Sequence, residues 1–404
     1  MWRQPWGYAE GWIICFGLLM TGGGLQWAVG PVEAGLFRFP VNGIGGLLFI
    51  MFLGLVSVVG RKTRLVAWFS GLTASLTAIT SLLAVVLVMG FTGPGIGQIT
   101  SSWPFVLLFL YFLLILGFAT LKRLCELFAK RAHPFSKKDA PFLLNHAGLF
   151  LTLSEAVLGN GDLQRLRMTV PRDTPEWRAS DEQGNKVELP LAIELRSFTI
   201  DEYPPKLMLI DNADGKALPV EQPRNLLVEE SPLSGDLLDW KIEVTRSLPM
   251  AACVMSEDTV NFVAFHSEGA TTALYVKASN RAGDRVKEGW VSCGSYIFPY
   301  VSLQLDEKVS LVMPGREPKR FASDIIVYTK DKQTKAACVE VNKPLSFAGW
   351  KIYQLSYDES KGKWSSYSVF ELVRDPWLPL IYTGIWMMIA GAIGLFVFAP
   401  TKNE

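Results

Sequence analysis

Charged residues are scarce in this chain of 404 residues. They make up 19% of it, whereas an ordinary soluble domain has about 25%. The formal net charge is +1, which gives no argument for binding nucleic acid or a strongly acidic substrate. Half of the residues are hydrophobic, and they concentrate in the first 160 and the last 28 residues. This distribution indicates a membrane protein with one large water-exposed insert.

The familiar catalytic motifs are also missing from the sequence. There is no phosphate-binding loop, no GxGxxG after a strand, no HExxH and no GxSxG, so we assign no catalytic residue. None of the five cysteines forms a C-x-x-C pair, and without C-x-x-C-H the chain cannot attach haem to itself covalently in the c-type manner. Cys15 lies in the first predicted helix, and Cys125 lies in a predicted cytoplasmic loop. Two of Cys253, Cys293 and Cys338 could form a disulfide in an oxidising compartment.

Long apolar runs predict the membrane helices. A spanning helix needs about 20 mostly apolar residues. The fifth such run, residues 140–159, contains Asn145, His146 and Glu155, so its alternative is an amphipathic helix on the membrane surface. The six predicted spans are residues 11–31, 39–60, 65–91, 103–121, 140–159 and 377–400.

Loop charge favours the spanning alternative and sets the topology. Lys and Arg in short loops accumulate on the cytoplasmic side. The loop at residues 92–102 has no charge, whereas the basic residues follow the second and fourth helices. Six crossings satisfy every loop and leave both termini in the cytoplasm. The basic residues are Arg61, Lys62, Arg64, Lys122, Arg123, Lys130, Arg131, Lys137 and Lys138.

The polar insert, residues 161–376, is predicted to be a β-rich extracytoplasmic domain. Residues 323–329 and 336–341 read as a hairpin, followed by strands at 350–357 and 366–373. Further strand-like runs are residues 273–278, 290–297 and 301–305. In the run at 350–357, Tyr353, Leu355 and Tyr357 are expected to share one face. The fold class is therefore an integral membrane α-helical bundle, residues 1–160 and 377–404, with this domain inserted.

Three histidines are present, and one lies in a predicted span. We interpret His133 as solvated in a cytoplasmic loop and His266 as a residue at a strand end. An ionisable group inside a membrane usually faces the bundle interior and marks a function. His146, roughly 9 Å from the cytoplasmic end of its helix, is therefore either a helix-to-helix hydrogen-bonding group or an axial ligand to haem iron.

Glu155 lies nine residues beyond His146 on the same predicted helix. At about 100° per residue the two side chains point in opposite directions, so they do not form a pair. We interpret Glu155 as a structural residue close enough to the outer interface to reach water.

Three stretches resemble ResB/CcsB proteins, which are components of System II cytochrome c maturation. The longest is residues 341–358 (VNKPLSFAGWKIYQLSYD). The sequence RDP at 374–376 runs directly into the last apolar helix, as in that family. Residues 145–150 (NHAGLF), with Leu158-Gly159-Asn160 at the helix end, resemble the family helix that enters the outer domain. Family members typically have three helices before this domain, and five are predicted here.

The resemblance implies a subunit that works with a CcsA-type partner. Such a pair carries haem b across the bacterial inner membrane and attaches it to the C-x-x-C-H motifs of apocytochromes c. Thiol-reducing proteins and membrane lipid are further implied partners. The resemblance assigns the cofactor-binding and metal-ligating role to His146, and it makes the chain a non-catalytic or co-catalytic subunit of the haem lyase. The tryptophan-rich haem-handling signature of the partner is absent from this sequence.

Two readings remain besides haem export. The chain could be a membrane-anchored scaffold or peptide-binding receptor, with His146 serving only helix packing. A transporter would require inverted repeats or broken charged helices, and neither is evident.

Overall fold

The chain forms two compact units in the computed structural model. One, called the helical unit, comprises Met1–Gln164 and Asp375–Glu404. The other, called the β unit, comprises Arg165–Arg374. The residues described are 5–60, 62–92, 99–129, 139–256 and 259–398.

Seven α-helices form the described part of the helical unit. Five of them, α1, α2, α5, α6 and α7, are long and apolar enough to cross a membrane. A further apolar segment, Leu72–Val88 within α4, is shorter. The helices are α1 (Tyr8–Val29), α2 (Val41–Val59), α3 (Arg64–Phe69), α4 (Leu72–Thr92), α5 (Trp103–Ala129), α6 (Asp139–Leu158) and α7 (Leu378–Val397).

The single helix predicted at residues 65–91 is wrong, because it is broken into α3 and α4. The Thr63 hydroxyl caps the start of α3 by accepting the Val66 N–H at 3.4 Å. At the other end the Ser70 hydroxyl donates to the Val66 carbonyl at 2.8 Å, and the Gly71 N–H donates to the Trp68 carbonyl. Local side-chain bonds of this kind compete with helix continuation. The count of six crossings therefore stays a prediction.

Helix α5 extends eight residues beyond its predicted end at 121 and reaches Ala129. Lys122, Arg123 and Cys125 therefore lie on a helix and not in a loop. Arg123 forms ion pairs with Asp139 at the start of α6 and, at 3.5 Å, with Glu126, which stabilises the extra turns. Several predicted loop residues fall outside the described residues, namely Arg61, Lys130, Arg131, His133, Lys137 and Lys138.

Helices α6 and α7 pack backbone to backbone through glycines. A Cβ on Gly148 would lie 2.6 Å from the Gly384 carbonyl oxygen. A Cβ on Gly391 would lie 2.7 Å from the Asn145 nitrogen. Small residues permit such close approach of membrane helices. This contact sets the rotation of α6 about its own axis, and so determines which of its residues point away from α7.

The β unit contains three antiparallel sheets. Their orders are β14-β13-β3-β2-β1-β17-β16-β15, β10-β9-β7-β6 with β8 paired to β7, and β11-β12-β4-β5. The strands are β1 (Gln164–Pro171), β2 (Glu176–Ser180), β3 (Lys186–Glu202), β4 (Lys206–Asp211), β5 (Asn225–Leu227), β6 (Leu233–Leu237), β7 (Trp240–Ser256), β8 (Thr259–Ala264), β9 (Thr271–Asn280), β10 (Val286–Ser292), β11 (Leu303–Gln304), β12 (Val309–Val312), β13 (Pro318–Thr329), β14 (Thr334–Glu340), β15 (Leu345–Phe347), β16 (Trp350–Tyr357) and β17 (Tyr367–Arg374).

The β unit is built around two main apolar cores. The eight-stranded sheet curls so that β14 contacts β15 and β16, and it encloses a cluster that includes Met168, Ile193 and Phe370. The two smaller sheets face each other and bury a second cluster that includes Leu209 and Val276. Alternate residues point inward along these strands, which explains the β-rich pattern of the sequence.

The predicted hairpin is confirmed. Strands β13 and β14 pair up to Tyr328 opposite Thr334. The predicted strands at 350–357 and 366–373 correspond to β16 and β17. The run predicted at 290–297 is too long, since β10 ends at Ser292. There Gly294 takes a φ of +70°, a left-handed conformation that turns the chain.

The predicted common face of Tyr353, Leu355 and Tyr357 is wrong. A register shift between Gln354 and Ser356 inserts Leu355 as an unpaired residue, and such a bulge reverses the alternation of side chains. Tyr357 consequently opposes the buried Ser368 and lies on the inner face.

Candidate functional site

His146 lies on α6, seven residues after its start at Asp139, which is about 10 Å along the helix axis. Its ring stacks on Phe142, with 3.9 Å between the ring centroids. Its Nδ1 atom lies 3.0 Å from the Phe142 carbonyl oxygen. The imidazole is half-buried, and these two contacts with the preceding turn hold its orientation.

The contact with Phe142 determines which ring nitrogen is free. A carbonyl oxygen can only accept a hydrogen bond, so Nδ1 of the neutral ring carries the proton and donates it. The lone pair then lies on Nε2, which has no hydrogen-bond partner among the described residues. Histidines that ligate metals usually donate their other ring N–H to a carbonyl or carboxylate in this way. With Nδ1 engaged in this way, Nε2 is the ring nitrogen left available for a further partner.

His146 does not lie on the face of α6 that packs against α7 through Gly148. Counting about 100° per residue, His146 lies roughly 130° around the helix from the residues that contact α7. It forms a stripe with Phe142, Leu149 and Leu153, all of which are half-buried. This set is called the His146 stripe. The neighbouring Phe150 is also half-buried, and its ring stacks on that of Phe49 of α2, with 6.3 Å between the centroids.

Glu155 lies half a turn from His146, on the side of α6 that faces α7, so the two residues do not form a pair. Its Oε2 atom is buried and has no hydrogen-bond partner among the described residues. We expected the Glu155 carboxyl to reach water, but its Oε2 atom does not. We assign Glu155 no ligand role.

The other ionisable candidates lie away from this site. His266 is exposed in the loop that follows β8, as expected for a strand end, and His133 lies outside the described residues. All five cysteines are free, so no disulfide joins Cys253, Cys293 and Cys338. Within the described ranges no three His, Cys, Asp or Glu residues are grouped to hold a metal ion.

A polar cluster at the end of α6 was missed by the sequence analysis. Asp162 accepts hydrogen bonds from the Phe39 N–H at 2.9 Å, the Asn42 side-chain amide at 2.7 Å and the Trp377 indole at 2.7 Å. Arg38 donates to the Gly161 carbonyl at 3.1 Å. We call this set the Asp162 cluster. It joins α2, the end of α6 and the start of α7, and the helix-end residues 158–160 were its only sequence signal.

The β unit has a cleft of about 360 Å³ that the sequence also did not reveal. Its lining includes Cys293, Tyr296, Tyr300 and Trp364. Lys361 lies over the Tyr296 ring, with 5.7 Å from Nζ to the centroid. Burial raises the pKa of the Tyr300 hydroxyl, which keeps it a neutral hydrogen-bond donor. The cleft thus combines aromatic surface and a thiol with charged side chains of both signs, since Glu202 and Glu359 line it together with Arg316, Lys361 and Lys363.

Comparison with known proteins relates part of the β unit to a known family. Residues 257–366 match the sequence model of the ResB-like family, and no curated protein matches the chain. The matched segment contains the stretch at 341–358 and every residue lining the cleft except Glu202. His146 and the junction at 374–376 lie outside it. The resemblance to ResB/CcsB proteins is therefore confirmed, and the chain is similar to the ResB-like family over residues 257–366.

Proposed function

We propose that this chain is the membrane subunit of a cytochrome c maturation complex, in which His146 ligates haem iron during haem export. The ResB-like match supports a role in cytochrome c biogenesis. The observation that carries the finer proposal is the contact between the His146 ring and the Phe142 carbonyl oxygen. Its Nδ1 donates to the Phe142 carbonyl, and Nε2 has no partner within the described part of the chain.

Haem is the cargo in this proposal, and His146 supplies a ligand on one side of its iron. A neutral imidazole is a common axial ligand of haem iron, and the Phe142 ring behind it limits rotation. The described chain supplies one such ligand. The second comes from a CcsA-type partner that packs on the His146 stripe, whose apolar residues are only half-buried in the single chain.

Helix packing supports this arrangement. Because α6 contacts α7 through Gly148 and Gly384, the His146 stripe is turned away from α7. The Asp162 cluster ties the far end of α6 to α2 and α7. Together these contacts prevent α6 from rotating about its axis. A side chain that ligates a metal has to be held in place by such supporting contacts.

The β unit receives the apocytochrome in this proposal. Its cleft offers aromatic side chains and charged groups of both signs to the C-x-x-C-H segment. The thioether bonds form when each reduced thiol adds across a haem vinyl group, so no net oxidation occurs and proximity supplies much of the rate. No nucleophile or general acid of this chain is required. Thiol-reducing proteins keep the substrate cysteines reduced.

A second candidate function is a membrane-anchored receptor for peptides with no haem ligation. It is favoured by one observation: the family match covers the cleft and does not reach His146. In that case the imidazole serves only the packing of α6.

Complementation of a deletion strain separates these functions. We expect deletion to abolish c-type cytochromes, as measured by haem staining of membrane fractions, and the wild-type gene to restore them. His146→Ala should fail to restore them, whereas the exposed His266→Ala should succeed. Full maturation by His146→Ala would favour the receptor. Normal cytochromes in the deletion strain would refute the role in cytochrome c maturation and leave the peptide receptor.

The side of the membrane on which the β unit lies is tested with its exposed thiol. Cys338 is free and exposed, whereas Cys125 on α5 belongs to the predicted cytoplasmic side. A membrane-impermeant maleimide should label Cys338 in spheroplasts and reach Cys125 only after lysis. Single-cysteine variants identify each product, and labelling of Cys338 only after lysis would reverse the topology.

A further inference from the structure

Besides the cleft of the β unit, the protein has a cavity of about 530 Å³ in the helical unit. His146 does not line this cavity. It lies where the N-terminal end of α1 meets α3 and the start of α4. Its lining includes Trp6, Arg64, Trp68 and Thr73. No carboxylate lines it among the residues that the structure describes, and its charged and indole groups can only donate hydrogen bonds. Such a lining accommodates an acceptor and disfavours a cation.

Two buried donors at this cavity have no partner. The indole nitrogens of Trp6 and Trp68 are buried and make no hydrogen bond within the described part of the chain. Trp68 is only 8% exposed, so water does not compensate for the missing bond. Buried donors of this kind are rare in folded proteins, and each calls for an explanation.

The contact between the two indoles does not remove the deficit. The rings meet edge to face, with 6.0 Å between centroids and 86° between planes. In that geometry the N–H of one ring can point at the face of the other. Only one of the two donors can be engaged between these two rings. Trp68 also meets the Phe69 ring edge to face at 5.2 Å, but a ring face is a much weaker acceptor than an oxygen.

The surroundings indicate where the acceptor comes from. Helix α1 is long and apolar enough to cross a membrane, and Arg64 and Lys62 lie at the start of α3 and just before it. Tryptophan and basic residues at helix ends are typical of the headgroup region, and basic pockets between membrane helices bind anionic lipid headgroups. We propose that this cavity binds the phosphodiester of an anionic phospholipid, with the Arg64 guanidinium and the indole of Trp68 as donors.

The test uses the full chain in detergent and short-chain lipid probes. Dioctanoyl-phosphatidylglycerol should bind, as counted by native mass spectrometry. Trp68→Phe, which removes the indole N–H and keeps an aromatic ring, should weaken binding by about tenfold, since hydrogen bonds to charged groups are strong. Arg64→Gln should have a similar effect. The matched controls Trp27→Phe, at a ring that is 91% exposed, and Lys62→Gln should bind as the wild type does.

Three results would overturn the proposal. Equal binding by Trp68→Phe and Trp27→Phe would exclude the indole donor. Equal binding of dioctanoylglycerol, which lacks phosphate, would show that only acyl chains are recognised. Displacement of the lipid by equimolar inorganic phosphate would identify a site for a free anion. Because Arg64 is exposed, Arg64→Gln remains informative even if Trp68→Phe fails to fold.

Discussion

Replacing Asn42 by Asp tests whether the Asp162 cluster holds the helical unit together. Asn42 is 1% exposed. Its amide group donates to the Leu158 carbonyl at 2.9 Å and to the Asp162 carboxylate at 2.7 Å. The substitution Asn42→Asp conserves shape but replaces this donor with an acceptor. Both hydrogen bonds are lost, and two carboxylates are brought together.

The cost follows from these distances. Two lost hydrogen bonds cost about 2 kcal/mol in total. Two unit charges 2.7 Å apart repel by about 1.5 kcal/mol in water and about 6 kcal/mol at an effective dielectric constant of 20. Asp162 is half-buried, so solvent screening puts the repulsion at about 2 kcal/mol. We expect a total destabilisation of about 4 kcal/mol, which lowers the Tm by roughly 8–16 °C.

The assay is thermal unfolding of the purified protein in detergent, followed by intrinsic fluorescence. The matched control is Asn160→Asp, which makes the same chemical change at an exposed residue near the end of α6 and should leave the Tm within about 2 °C of the wild type. Equal Tm values for Asn42→Asp and Asn160→Asp would refute the role of the cluster.

Two further predictions concern one surface charge and one glycine contact. Glu340 accepts from Arg320 at 2.7 Å and from Lys343 at 3.1 Å, and these bonds lower its pKa to about 2. The stabilisation is present above the ordinary value of 4.5 and is lost as the pH falls toward 2. The Tm difference between wild type and Glu340→Gln should therefore shrink over that window, and a constant difference would contradict it. Gly148→Ala should cost about 1–3 kcal/mol by overpacking. Gly23→Ala, which meets open space, should not, and equal thermal melts would exclude the close contact.

Much of the helical unit was predictable because its signal is local. Apolar runs mark α1, α2, α6 and α7 to within a few residues. The break between α3 and α4 was not predictable from hydropathy, since Ser70 and Gly71 are tolerated inside many membrane helices. The extension of α5 depends on Arg123 meeting Asp139, a contact between helices that composition does not reveal.

The β unit shows the same limit. Hairpins such as β13–β14 were readable from alternation and turn residues. The pairing of β3 with β13 joins residues more than 100 positions apart, and no local pattern specifies it. The bulge at Leu355 likewise depends on the partner strand β17.

The candidate site was partly predictable. His146 drew attention because an imidazole is unusual in an apolar run. Its tautomer, set by the Phe142 carbonyl, required the helix geometry. The Asp162 cluster and the cleft assemble residues from distant segments, so neither carried a sequence signal strong enough to identify it.

The most direct measurement is the haem content and visible spectrum of the complex purified with its haem-handling partner. If Nε2 of His146 ligates iron, the wild-type complex contains haem with a six-coordinate, low-spin spectrum. His146→Ala then loses most of the haem or shifts to a five-coordinate spectrum, while His266→Ala remains unchanged. An unaltered haem content and spectrum in His146→Ala would contradict the proposed ligand.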